Sequence, residues 1–246
     1  KNHPALLVWG VGNEVEMNGR NKPEIWRAIN EAAAMIHQAD PNHPTMVVVA
    51  EFDADKIEEL KRFCPEIDIL GVNSYGGINS VAQRLVDHGW EKPYIVTEFG
   101  PVGDWVALQT PWGAPLMPTS TARAAMYREG YRRAVAEQPN RCLGSYVFYW
   151  AAEKDLAALA WYCLFLADGE ALEAVQVMEE AWTGKTAPNR CPTIRELSSS
   201  AGESVVQPGA RIGAHVTAEA NDGDTLLYRW LLAKEHKGRL AALSDA

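Results

Sequence analysis

Two short apolar runs, each ending on a glutamate, constrain this chain most. Ala5, Leu6, Leu7, Val8 and Trp9 stand together between Pro4 and Gly10, and the stretch closes on adjacent Asn13 and Glu14. An apolar run without polar alternation reads as a strand, here over residues 5–12, buried on both faces. Lys92, Pro93, Tyr94, Ile95, Val96 and Thr97 repeat the design and lead to Glu98. Two buried parallel strands that each deliver a carboxylate at the C-terminal end are what a (β/α) barrel needs for a two-carboxylate site. The competing reading, in which both glutamates only open solvated loops, suits one such residue better than two.

Between and beyond these runs the chain alternates. Pro23 suits the first turn of a helix, because its missing N–H has no partner there. Ile25, Ile29, Ala32, Ala33 and Ile36 then form one apolar stripe, ended by Asp40 and Pro41. Residues 45–50 read as a buried strand before Glu51, and Asp53 or Asp55 can cap a helix with Ile57 and Leu60 inward. Residues 67–75 are the next strand, closing on Tyr75 before Gly76 and Gly77, and a short helix over 80–87 leads to the Glu98 strand. An irregular Pro- and Trp-rich stretch, 101–118, precedes a long helix capped by Ser120 or Thr121 and ending near Gln138. Residues 143–150 read as a fifth strand ending on Trp150, and 172–182 as a helix.

Five strands each followed by a helix predict an α/β fold with a parallel sheet. Eight such units use roughly 250 residues; five therefore account for residues 5–184, with the stretch 101–118 as surplus. Residues 185–190 read as a linker. Residues 191–246 change to short β-like runs, 211–219 and 226–232, around Asn221, Asp222, Gly223 and Asp224. They resemble the start of an immunoglobulin-like or PKD-like β-sandwich, which needs roughly 100 residues. The four-residue stretch reads as a turn, with calcium ligation the weaker alternative.

Composition removes several function classes. A net charge of −9 and a pI near 5.2 argue against nucleic acid or an anionic membrane surface as partner. No apolar run approaches the roughly 20 residues of a membrane span. The four cysteines include no C-x-x-C pair, and the six histidines form no H-x-H or H-E-x-x-H pattern, so no metal and no cofactor is expected.

The stretches HPALLVWGVGNE and KPYIVTEFG resemble the acid/base and nucleophile strands of retaining glycoside hydrolases of the (β/α)8 clan, above all the TIM-barrel domain of glycoside hydrolase family 2. The resemblance runs from about residue 2 to 184. It implies a partial TIM barrel, units four to eight over residues 1–184, followed by an incomplete β-sandwich segment over 191–246. It further implies hydrolysis of a β-linked glycan or glycoside by double displacement, with Glu14 as acid/base and Glu98 as nucleophile. Such chemistry needs two carboxyl groups about 5 Å apart across the scissile bond.

By the same resemblance Asn13 hydrogen-bonds the sugar 2-hydroxyl, and Trp150, on the eighth strand, forms an aromatic floor for the sugar. Strict alternation points Asn13 and Glu14 to opposite faces, so both serve one site only if the strand end is bulged. A Tyr75 phenol donating to Glu98 would favour its ionised form. Trp105 and Trp112, in the long irregular stretch, are candidates for outer sugar subsites or for anchors of their own loop. Glu51 and Glu153 are rival carboxylates near strand ends, ranked as solvated or supporting. Ala151, Ala152, Ala157 and Ala158 stand where more polar residues are expected.

A transglycosylase using the same pair, and a non-catalytic carbohydrate-binding or scaffold module, are the alternatives. Five units cannot close an eight-stranded barrel, so the first and fifth strands are expected at sheet edges and the isolated chain is expected to be inactive. Appended sandwich domains favour an extracytoplasmic location.

Overall fold

A computed structural model describes residues 1–18, 23–150, 161–166, 168–202 and 204–230. Ala151, Ala152, Glu153, Ala157 and Ala158 lie outside the described residues, as do residues 231 and 232 of the last expected β-like run. Two compact units are present, one built from Lys1–Phe99 with Gly130–Val147 and one from Gly100–Glu129 with the rest of the described chain.

The first unit holds a five-stranded parallel sheet. Its strands are β1 (Trp9–Asn13), β2 (Thr45–Ala50), β3 (Ile69–Asn73), β4 (Tyr94–Glu98) and β5 (Cys142–Ser145), in that spatial order. β-Branched runs such as Thr45, Val47, Val48 and Val49 favour the pleated conformation, and β3 is buried along its whole length. Met46, Val48, Ile69 and Ile95 pack on one face of the sheet, with Val8 against them.

The helices α1 (Pro23–Ala39), α2 (Ala54–Phe63) and α3 (Val81–Asp87) alternate with these strands. Asp53 caps α2 by accepting from Lys56 N at 2.9 Å, and Ile57 and Leu60 are buried beneath it. α1 buries Trp26, Ile29 and Ala33, so its inward stripe is centred on Trp26 rather than on the aliphatic residues alone. Trp26 Nε1 donates to Glu59 of α2 at 2.7 Å, a polar tether that hydrophobic periodicity does not reveal.

Three strand readings need correction. The expected first strand begins only at Trp9; Ala5 and Leu7 are exposed, Leu7 at 64%, because among the described residues β1 has a neighbouring strand on one side only. The expected strand over 143–150 ends at Ser145, so Trp150 is not on a strand. β5 also lies at a sheet edge and carries an extra residue between Cys142 and Ser145 relative to β4, which weakens its pairing. Finally, β6 (Thr193–Ser199) pairs antiparallel with β7 (Ala214–Glu219), and its largely polar sequence had carried no strand signal.

In the second unit, helix α4 (Ser120–Tyr131) starts from Thr119, whose hydroxyl accepts from Ala122 N at 3.2 Å; neither Ser120 nor Thr121 is the cap. Its last two residues and a π-helical turn, Arg132–Ala136, belong to the first unit. Helix α5 (Glu173–Thr183) ends at Gly184, whose φ of 68° is left-handed and suits glycine. Asp222 accepts from Arg190 N at 3.1 Å and Asn221 donates to Cys191 O at 2.8 Å, so the Asn221–Asp224 stretch ties back to the segment entering β6. Among the described residues no helix is long and apolar enough to cross a membrane.

Candidate active site

β1 delivers two adjacent polar side chains to one place by breaking alternation. Three residues advance along β1 from Gly10 to Asn13 while β2 advances two, from Met46 to Val48, which is one extra residue in the pairing. Such a bulge lets neighbours that a regular strand would separate reach the same side. Gly12 supports it at φ 84°, and Glu14 N donates to Val48 O at 3.0 Å, pinning the end of the strand. Glu14 itself has φ 51°. A non-glycine residue there is held against a preference of about 1–2 kcal/mol, a strain that concentrates at functional sites.

β4 uses the same device. From Val72 to Asn73 is one step along β3, whereas the paired positions Val96 and Glu98 are two apart. Thr97 and Glu98 therefore both stand beside Asn73. The Tyr75 hydroxyl, two residues beyond β3, donates to Glu98 Oε2 at 2.7 Å. Burial holds the Glu98 carboxyl above the usual carboxylate range; the charge of Glu14 adds to the rise, while hydrogen bonding from Tyr75 and, more weakly, Asn73 pulls back.

The residue that joins the two strand ends is Asn73, 2% exposed. Its Nδ2 donates to Glu14 Oε1 at 2.8 Å and to Asn13 Oδ1 at 3.1 Å, and its Oδ1 accepts from Thr97 Oγ1 at 2.6 Å. Asn13, Glu14, Asn73, Thr97, Glu98 and Tyr75 thus form one connected cluster at the C-terminal ends of β1, β3 and β4. Sequence reading missed Asn73 and Thr97. The available signal was a polar residue ending an apolar run on the strand between the two glutamate strands. Gly71 makes room for the cluster: a Cβ there would lie 2.7 Å from Val48 Cγ2 and 3.0 Å from Thr97 Cγ2.

Glu51 supports the loop that carries Tyr75. Its carboxylate pairs with Arg84 of α3 at 2.7 Å, accepts from Gly77 N at 3.2 Å and from the Ser74 hydroxyl. Arg84 also donates to Phe52 O at 2.8 Å and lies over the Phe52 ring, 4.4 Å from its centroid. A Cβ at Gly77 would meet Glu51 Oε1 at 2.5 Å, so the turn has to be glycine for the clamp to close. Glu16, just beyond β1, is buried; it takes Lys56 Nζ and Ala50 N, both at 3.1 Å.

The three tryptophans belong to the second unit. Trp150 is 64% exposed and its ring packs on Phe165, centroids 5.0 Å apart. Trp105 is 48% exposed and lies 6.4 Å from the Tyr162 ring, whose hydroxyl donates to Asp104 at 3.2 Å. Trp112 is also exposed. Among the described residues no group of three His, Cys, Asp or Glu side chains is arranged to hold a metal ion.

Known proteins place this arrangement in context. No curated protein matches the chain. Solved structures that share the fold include the β-D-glucuronidase of Dictyoglomus thermophilum, at 21% identity and TM-score 0.52 over 75% of this chain and 33% of that one. A β-glucuronidase of an uncultured Clostridium sp. aligns at 19% identity and TM-score 0.54 over 75% and 33%. That of Faecalibacterium prausnitzii aligns at 21% identity and TM-score 0.53 over 75% and 32%. The chain thus spans about a third of the length of these structures, and its parallel sheet is a partial TIM barrel. Residues 1–106, which contain both glutamate strands, match the family described as glycosyl hydrolases family 2, TIM barrel domain, and it is this domain that the chain resembles.

Proposed function

We propose that this chain carries the catalytic carboxylates of a retaining β-glycosidase, with Glu98 as nucleophile and Glu14 as acid/base. The observation that carries the reading is that the strand ends bearing Glu14 and Glu98 are joined through the buried Asn73 amide, which bonds Glu14 on one side and Thr97, next to Glu98, on the other. Glu98 attacks the anomeric carbon while Glu14 protonates the leaving oxygen; Glu14 then takes a proton from the water that releases the glycosyl-enzyme. The roles fit the surroundings. A nucleophile must be ionised, and the Tyr75 phenol donates to that form. Asn13, brought beside Glu14 by the bulge, is the candidate donor to the sugar 2-hydroxyl. Trp150, Trp105 and Trp112 remain candidates for sugar contacts, and β-glucuronides are the substrates to try first. A linker at 185–190, separating barrel from sandwich, is proposed on the same footing and would be the first site cut in limited proteolysis.

The test compares two alanine variants in the chain and in any longer polypeptide containing it. Glu98→Ala is expected to abolish turnover of every aryl β-glycoside. Glu14→Ala should lose about a hundredfold or more on poor leaving groups, spare activated ones, and recover the second step with azide. Proton NMR of the first product should show retained anomeric configuration; an inverted product would exclude Glu98 as nucleophile. Because burial raises the Glu98 pKa, the acid limb of the pH–rate profile should lie above that of an ordinary glutamate, and Tyr75→Phe should move it further up.

A further inference from the structure

We propose that Asn73, held in orientation by Thr97, is a positioning residue that decides which oxygen of Glu14 carries the acid proton and which face of the Asn13 amide meets a ligand. The inference rests on the role proposed for Glu14 and goes beyond it.

Asn73 has one acceptor and two N–H donors on its side chain. Glu14 Oε1 and Asn13 Oδ1 both lie on the same side of that amide, at 2.8 and 3.1 Å. A carboxylate oxygen only accepts, so the atom facing it has to be the nitrogen. The Asn73 oxygen then points at Thr97 Oγ1, 2.6 Å away, and the hydroxyl donates to it. Glu14 sets the orientation, and the Thr97 hydroxyl holds it by satisfying the oxygen on the far side. Were the amide reversed, its one oxygen would face both Glu14 Oε1 and Asn13 Oδ1 at hydrogen-bond distance in a buried site, where unsatisfied polar contacts are costly.

Two consequences follow for the chemistry. Glu14 Oε1 is committed to accepting from Asn73, so a proton on Glu14 has to sit on Oε2. Protonating Oε1 would set two donors against each other, or turn the amide over and leave its oxygen against Asn13 Oδ1. The acid therefore has one defined donor atom. Asn13, whose oxygen is taken by Asn73, likewise presents its NH2 group and not its carbonyl to whatever binds beside Glu14. The bulge in β4 exists in these terms to put Thr97 under Asn73 while Glu98 stays beside it, and Gly71 is small so that Thr97 has that space.

The experiment uses two aryl glycosides of one sugar, with 2,4-dinitrophenol and phenol as leaving groups. Asn73→Ala should reduce kcat/KM about a hundredfold on the phenyl glycoside, whose departure needs the proton, and less than about tenfold on the dinitrophenyl glycoside. Asn73→Asp, the same size but with an oxygen facing Glu14, should be at least as impaired on the phenyl substrate. Thr97→Val should show the same leaving-group pattern in milder form, and Thr97→Ser, which keeps the hydroxyl, should restore it. Equal losses on both substrates would mean that Asn73 only holds the fold, and the proposal would be wrong. A second measurement needs no turnover. The Asn73 side-chain NH2 resonances, assigned by their loss in Asn73→Asp, should shift in Glu14→Gln and Thr97→Val and stay in place in Thr97→Ser; resonances unmoved by Thr97→Val overturn the orienting role of Thr97. If Glu98→Ala and Glu14→Ala keep full activity, the roles given to this carboxylate pair fall, which differs from failure of the Asn73 assignment, where both alanine variants lose activity while Asn73→Ala affects the two substrates equally.

Discussion

The ends of β1 and β4 solve one problem in two settings. Each has an extra residue just before its glutamate, and each thereby turns two consecutive side chains to one side of the sheet. At the β4 end the strand lies between β3 and β5, and Glu98 is held by burial and by the Tyr75 phenol. At the β1 end the strand has, among the described residues, β2 as its one neighbour, and Glu14 is held by a left-handed backbone and the Asn73 amide. An interior strand fixes a carboxyl through its surroundings, whereas an edge strand has fewer surroundings and uses backbone conformation instead. Under the roles proposed for Glu14 and Glu98 the difference matters chemically, because a group that moves a proton and a group that forms a bond need different kinds of restraint.

Three substitutions probe this contrast through stability. The largest effect is expected at Gly71, which supports the β4 end. Gly71→Ala places a methyl against the stiff Val48 side chain and against Thr97, so urea unfolding should show a loss of about 1–3 kcal/mol. An unchanged midpoint would mean that the packing beneath Thr97 is looser than the distances say. Glu14→Gly tests the β1 end in the opposite direction. Removing the Cβ at φ 51° relieves the left-handed penalty, for a gain of about 1 kcal/mol, less whatever the lost Asn73 bond contributes. The same change at Glu98, whose φ is not left-handed, should give no gain of this backbone kind.

The smallest effect concerns charge. Because the folded state raises the Glu98 pKa, ionising this carboxyl costs stability as pH rises from its unfolded value, near 4.3, through the folded one. Glu98→Gln removes that cost. The variant should melt higher than the parent at neutral pH, with the gain fading as pH falls below the unfolded value. A gain that persists at pH 3 would assign it to something other than ionisation.

Much of the fold was legible because local chemistry states it. Pro23, Asp53 and the β-branched residues of β2 mark elements whose propensity, capping and burial agree. Readings failed where the outcome depends on a neighbour. Ala5 and Leu7 look like core strand and are exposed, since among the described residues no strand lies beyond β1 in the sheet. Trp150 looks like the end of a strand, but β5 stops at Ser145. β6, nearly all polar, is a strand because β7 pairs with it.

The sequence by itself determined that two strands lead to Glu14 and Glu98 and that Tyr75 follows one of the strands between them, because period, β-branching and glycine placement are local properties. Only the tertiary structure decided which side chains meet. Asn73 reaches Asn13 and Glu14 across 60 and 59 residues of chain, and it does so because one added residue in β1 and another in β4 change which side each neighbour faces. A bulge is a relation between two strands, so it is absent from either strand's sequence taken alone.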